Sequence, residues 1–130
     1  MKRQIAHVAL IVKDYDEAIL FYTQKLDFDL ISDIPLNEKK RWVLVGPKYS
    51  NGCCLLLAKA SDEKQFDSIG NQTGGRVFLV LHTDDFWRDY KNMQAKGILF
   101  TREPVVENYG TVAIFKDLYG NLWDMIEPKK

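Results

Sequence analysis

The chain has 130 residues, 46% of them apolar and 28% charged, a composition that fits one soluble globular domain. Eighteen basic residues balance eighteen acidic ones. A formal charge of zero excludes a binder that works through a broad basic surface, so neither nucleic acid nor an anionic membrane is an expected partner. The first apolar run, Val8 to Val12, is too short for a signal peptide, and the longest, Cys53 to Ala58, is too short to span a bilayer. Cys53 and Cys54 are adjacent, so strand alternation points them apart and they are read as buried structural thiols in a reduced, cytoplasmic protein.

Ile5 to Val12 reads as a strand of β-branched and aliphatic residues. Asp14 with Glu17 forms a capping-box pattern, and Ala18, Phe21, Tyr22 and Leu26 follow at helical spacing, which predicts a helix from Tyr15 to about Leu26. Asp27 stands where that helix must stop and tolerates the left-handed conformation better than most residues. Strands are expected at Phe28 to Ile34, Arg41 to Val45 and Cys53 to Lys59, with turns marked by Pro35, Asn37, Gly46-Pro47 and Asn51-Gly52. Asp62 to Ile69 is a short helix candidate, and Asn71 to Gly75 is polar linker.

The order then restarts. Val77 to His82 reads as a strand, Asp84 or Asp85 caps a helix bearing Trp87, Tyr90 and Met93, and Gly97 ends it. Ile98 to Thr101, Thr111 to Lys116 and Asn121 to Glu127 complete a second β-α-β-β-β unit, offset by about 70 residues from the first. The expected fold is α+β: two tandem βαβββ modules forming a curved mixed sheet around a cleft, helices outside. Residues 1–130 are read as one domain, with module 1 at about 4–59, a linker at about 60–75 and module 2 at about 76–128.

His7-Val8-Ala9-Leu10-Ile11-Val12-Lys13-Asp14, followed by Phe21-Tyr22 and Leu26-Asp27-Phe28, resembles the opening strand and helix of the vicinal oxygen chelate superfamily, which includes glyoxalase I, bleomycin-resistance proteins and extradiol dioxygenases. Phe115-Lys116-Asp117-Leu118-Tyr119-Gly120-Asn121-Leu122-Trp123-Asp124 resembles its closing motif, with Leu118 for the usual Pro and Asp124 for the usual Glu; Asp27 likewise stands for a Gly. In that superfamily metal ligands come from the first and last strand of each half. The resemblance places them at His7, Leu56, Phe78 and Asp124, of which only His7 and Asp124 can bind an ion. His82 lies on the face of Phe78 but roughly 13 Å along the strand. No metal is therefore expected; a divalent zinc, nickel, iron or manganese ion, if bound, takes His7 and Asp124.

Without a metal, His7 and Asp124 are the candidate catalytic or hydrogen-bonding pair, because a carboxylate orients an imidazole that titrates near neutrality. Alternation puts His7, Ala9, Ile11, Leu56, Ala58, Phe78 and Asp124 on the cleft face, and Val8, Leu10, Leu55, Leu57, Leu79 and Leu81 under helices. Trp42, Leu56, Phe78, Tyr109 and Phe115 are the expected walls of a binding cleft, with Arg41, Asn71 or Gln72 as polar groups and Trp123 turned away from Asp124. The expected function is binding of a small apolar or planar molecule at a degenerate metal site. The alternatives are a glyoxalase-like lyase or isomerase or dioxygenase-type enzyme using His7 and Asp124 with a recruited metal, and an interaction module with a vestigial cleft. The resemblance also implies a homodimer.

Overall fold

The computed structural model describes residues 1–130, which divide into two units, Met1–Ile69 and Gly70–Lys130. Unit 1 runs β1 (His7–Val12), α1 (Tyr15–Leu20), a π-helical segment (Phe21–Lys25), β2 (Phe28–Pro35), β3 (Arg41–Pro47), β4 (Cys54–Lys59) and α2 (Glu63–Asp67). Unit 2 runs β5 (Val77–His82), α3 (Phe86–Ala95), β6 (Phe100–Glu107), β7 (Gly110–Lys116) and β8 (Leu122–Pro128). Each unit holds a four-stranded mixed sheet, ordered β1-β4-β3-β2 and β5-β8-β7-β6. In both, the first and last strands pair in parallel and the other neighbours are antiparallel. The fold is α+β with tandem βαβββ modules. No helix is long and apolar enough to cross a membrane.

The helix of unit 1 starts where a side chain replaces a missing backbone acceptor: Asp14 takes the Glu17 N–H at 2.9 Å. Its second half is not α-helical. The Thr23 hydroxyl donates to the Ile19 carbonyl at 2.7 Å, and the Leu26 N–H reaches back five residues to Phe21. The i→i−5 backbone bond marks the π turn, and the hydroxyl bond to the carbonyl of the preceding turn accompanies it. Asp27, at φ +57°, then reverses the chain. The buried face gathers Leu10, Val12, Ala18, Tyr22, Val43, Val45 and Leu57, and truncating one such leucine to alanine typically costs about 2–5 kcal/mol.

In unit 2, Asp85 caps α3 through the Arg88 N–H, and Glu127 on β8 accepts the Phe86 N–H at 2.7 Å. The helix ends at Gly97, φ +84°, with the Gly97 N–H on Gln94 and the Ile98 N–H on Met93. That pair of bonds is a Schellman closure, and the buried Ile98 is its apolar plug rather than the first residue of a strand. The strand expected at Ile98 instead begins at Phe100 and continues to Glu107 through Pro104. Proline is tolerated there because β6 is an edge strand, where one backbone N–H need not pair.

Both cysteines are free thiols, and neither is a core residue: Cys53 is exposed before β4 and Cys54 half-buried at its first position. The strand starts one residue later than expected, leaving Cys53 in the preceding turn.

Candidate functional site

The helix-free face of sheet 1 is built by alternation. Helix-side residues Leu55 and Leu57 of β4 are buried, so Cys54, Leu56 and Ala58 point the other way; parallel pairing sets His7, Ala9 and Ile11 of β1 beside them. Trp42 and Leu44 continue this face on β3, and Ile34 on β2. Besides His7, the register places one charged residue of β2 on this face, Asp29 opposite Gly46. His7 is exposed; its Nδ1 lies 3.2 Å from the Cys54 Sγ, and its ring meets Trp42 edge-on with centroids 5.8 Å apart. Burial above all, and then charge on Cys53, hold the Cys54 thiol above its ordinary pKa, so it is protonated at neutral pH.

An open groove of about 1290 Å³ lies at the other end of this sheet. Trp42, Leu56 and Ala58 supply its apolar wall, and Lys39, Lys40 and Lys59 lie among its polar rim. Arg41, a sequence candidate for ligand contact, also borders the groove but is committed internally. Its guanidinium grips Asp33 at 2.7 and 3.1 Å and Asp16 at 2.9 Å, lies over the Tyr15 ring, and its backbone N–H donates to the Tyr15 hydroxyl. Hydrogen bonding to Arg41 holds the Asp33 carboxyl below the usual range.

In unit 2, Asp124 occupies the middle of β8, half-buried, beside Val80 on β5 and Ile114 on β7. Leu122 and Ile126 flank it on the same face, so it is a carboxylate in apolar company. Phe78 sits at a register irregularity between Val77 and Leu79, where alternation loses its force, and its ring packs edge-on to Trp123. Phe115 departs from its expected role as a cleft wall. It is fully enclosed, stacked on Trp123 and edge-on to Phe100, because its registered partners Trp123 and Phe100 share its side of the sheet. Tyr109 lies exposed in the β6–β7 turn.

The closing motif has a structural job. Asp117, buried between β7 and β8, accepts the Tyr119, Gly120 and Asn121 N–H groups on Oδ1 at 3.0–3.1 Å. Its Oδ2 takes the Asn121 side-chain amide and the Trp123 indole N–H. The buried Asn121 in turn accepts the Gln72 N–H, and Gly70 packs so closely on the Tyr119 carbonyl that a Cβ would lie 2.0 Å from it. The polar linker residues Asn71 and Gln72 are thereby tied to this turn.

The face of unit 1 contains one residue the sequence reading passed over. Cys54 shares the alternation that placed Leu56 and Ala58 there, two positions upstream, and the parallel pairing of first and last strands aligns it with His7. That signal was present in the spacing.

A family model described as Glyoxalase/Bleomycin resistance protein/Dioxygenase superfamily matches residues 4–125. The chain belongs to this superfamily. An uncharacterized protein of Shewanella frigidimarina is 62% identical over 98% of the chain and 95% of its own length. Among solved structures, UcmS2 superposes with a TM-score of 0.85 at 32% identity, covering 98% of this chain and 99% of that one. TnmS3, described as an antibiotic binding protein from Streptomyces sp. CB03234, gives 0.79 at 26% identity, with 98% of each chain covered. Here Leu56 and Phe78 stand at two of the metal-ligand positions assigned by resemblance, and within neither unit do three His, Cys, Asp or Glu side chains converge to hold an ion.

Proposed function

We propose that this superfamily member binds a small, planar, largely apolar molecule and works by binding rather than by metal-assisted turnover, its metal site being degenerate. The observation that carries the reading is the open groove walled by Leu56 and Trp42; the apolar Leu56 and Phe78 at positions where the resemblance expects metal donors support it. An ion bound by one imidazole and one carboxylate lacks the third protein ligand that catalytic sites ordinarily use. Likeness to a described antibiotic binding protein supports the same class of ligand. In unit 1, Trp42 and Leu56 are assigned to ligand contact and His7 to a polar contact; in unit 2, Phe78 and Asp124 are the corresponding candidates, and a cytoplasmic homodimer completes the proposal.

Retention of His7 and Asp124 favours one second reading, a glyoxalase-like lyase or isomerase that recruits a metal. One experiment separates the two. The protein is purified without tag or chelator, its metal content measured, and a panel of planar aromatic compounds titrated while tryptophan fluorescence is followed. Binding that survives chelator treatment, with quenching lost in Trp42→Phe, is the expected result. Near one ion per chain, lost in both His7→Ala and Asp124→Ala, with no metal-free ligand binding, overturns it in favour of the enzyme.

A further inference from the structure

The binding face carries a reactive pair as well as an apolar wall. We propose that Cys54 is a nucleophile that captures α,β-unsaturated carbonyl compounds, enones and quinones, with His7 as its base. This rests on the reading that the chain receives a small planar molecule, and it assigns that molecule a reactive class; the pair lies outside the groove at the opposite end of the same face, with Trp42 touching both His7 and the groove.

A half-buried thiol is a poor nucleophile unless a base takes its proton as it attacks. His7 Nδ1 is 3.2 Å from Sγ, within the reach expected of a nucleophile and its base. As the sulfur adds to the β-carbon, the S–C bond forms and the Sγ proton passes to Nδ1. The C=C π pair moves toward the carbonyl as an enolate, and the imidazolium then returns the proton to the α-carbon. The step is an addition: all atoms are retained, and neither oxidant nor reductant is needed.

The surroundings select the electrophile. Ala9, Ile11 and Leu56 offer apolar surface on the same face, which favours an uncharged electrophile, and Trp42 adjoins His7 as a flat wall. On the flank toward β3 the registered neighbour of Cys54 is Gly46. A Cβ there would lie 3.0 Å from the Cys54 Cβ and 3.1 Å from the Ile31 Cδ1, so the Ile31 side chain closes that flank with apolar surface. Exposed Cys53, one residue away and without the imidazole contact, is the built-in control.

The test uses the full chain with one thiol at a time. Cys53→Ser and Cys54→Ser are each reacted with N-ethylmaleimide at pH 7 and second-order rates are measured. Cys54, alone in the Cys53→Ser protein, is expected to react roughly tenfold faster than Cys53 despite its lower exposure. Adding His7→Ala should cut that rate by roughly tenfold or more, and free imidazole should restore part of it, which a packing role would not explain. His7 is exposed at a strand end, so the variant keeps the fold; His7→Gln gives a second check. Equal or slower reaction at Cys54, an unchanged rate in His7→Ala, or a loss that imidazole does not restore overturns the proposal. Reversible ligand binding retained beside an unreactive Cys54 sinks only this inference, whereas a reactive Cys54 without any ligand binding sinks only the binding function.

Discussion

One carboxylate holds the turn between the last two strands. Asp117 accepts hydrogen bonds from three backbone and two side-chain donors while only 5% exposed, so its loss leaves several buried donors unsatisfied at once. Asp117→Ala should therefore cost about 3 kcal/mol or more, and Asp117→Asn, which keeps one acceptor oxygen, about half of that. Urea unfolding of the three proteins measures both, and a loss below about 1 kcal/mol in Asp117→Ala would show that the network is dispensable. The motif around Asp117 was legible in the sequence as a family mark, but its role was not. Which N–H groups a carboxylate collects depends on turn geometry that spacing does not specify. The same limit hid the imidazole–thiol contact, since alternation puts Cys54 on the face of Leu56 but says nothing about the strand register that sets it beside His7, or about rotamers. Phe115 failed for the opposite reason: its type suggested a cleft wall, and only the cross-strand register with Trp123 shows which face it serves.

At the level of elements, type and order were readable and ends were not. The second half of the first helix closed through an i→i−5 bond as a π segment, and Ile98 was claimed by a helix terminus rather than a strand. Tertiary position decided β6, because Pro104 argues against a central strand but not against an edge. The join between α1 and the β2–β3 hairpin is electrostatic. Arg41 holds Asp33 on β2 and Asp16 on α1, with Tyr15 beneath. The Asp33 carboxyl titrates lower in the folded chain than unfolded. Its contribution to stability is thus complete above its unfolded pKa and is lost as pH falls through the lower, folded value. Asp33→Asn should flatten the loss of stability between about pH 4 and pH 2. Thermal midpoints of both proteins across that range check this, and parallel pH profiles would refute it.

For the whole molecule, eighteen charges of each sign leave little mutual repulsion between copies near neutrality. Solubility should pass through a minimum near the sequence pI of 6.7, and precipitation assays from pH 5 to 9 would show it; a minimum displaced by more than about one pH unit would point to strongly shifted groups. The repeat itself was the most legible feature at this scale, because a βαβββ order that restarts can be read from periodicity and turn residues alone. Its strand pairings carry a consequence for how the chain acquires its shape. Every ladder closes within one sheet, and the longest closures, β1 to β4 and β5 to β8, are each confined to their own half. Loop-closure entropy is therefore set by segments of half the chain rather than by its full length. All partners of the first sheet have left the ribosome once β4 has emerged, so the amino-terminal ladder can zip while the second half is still being made.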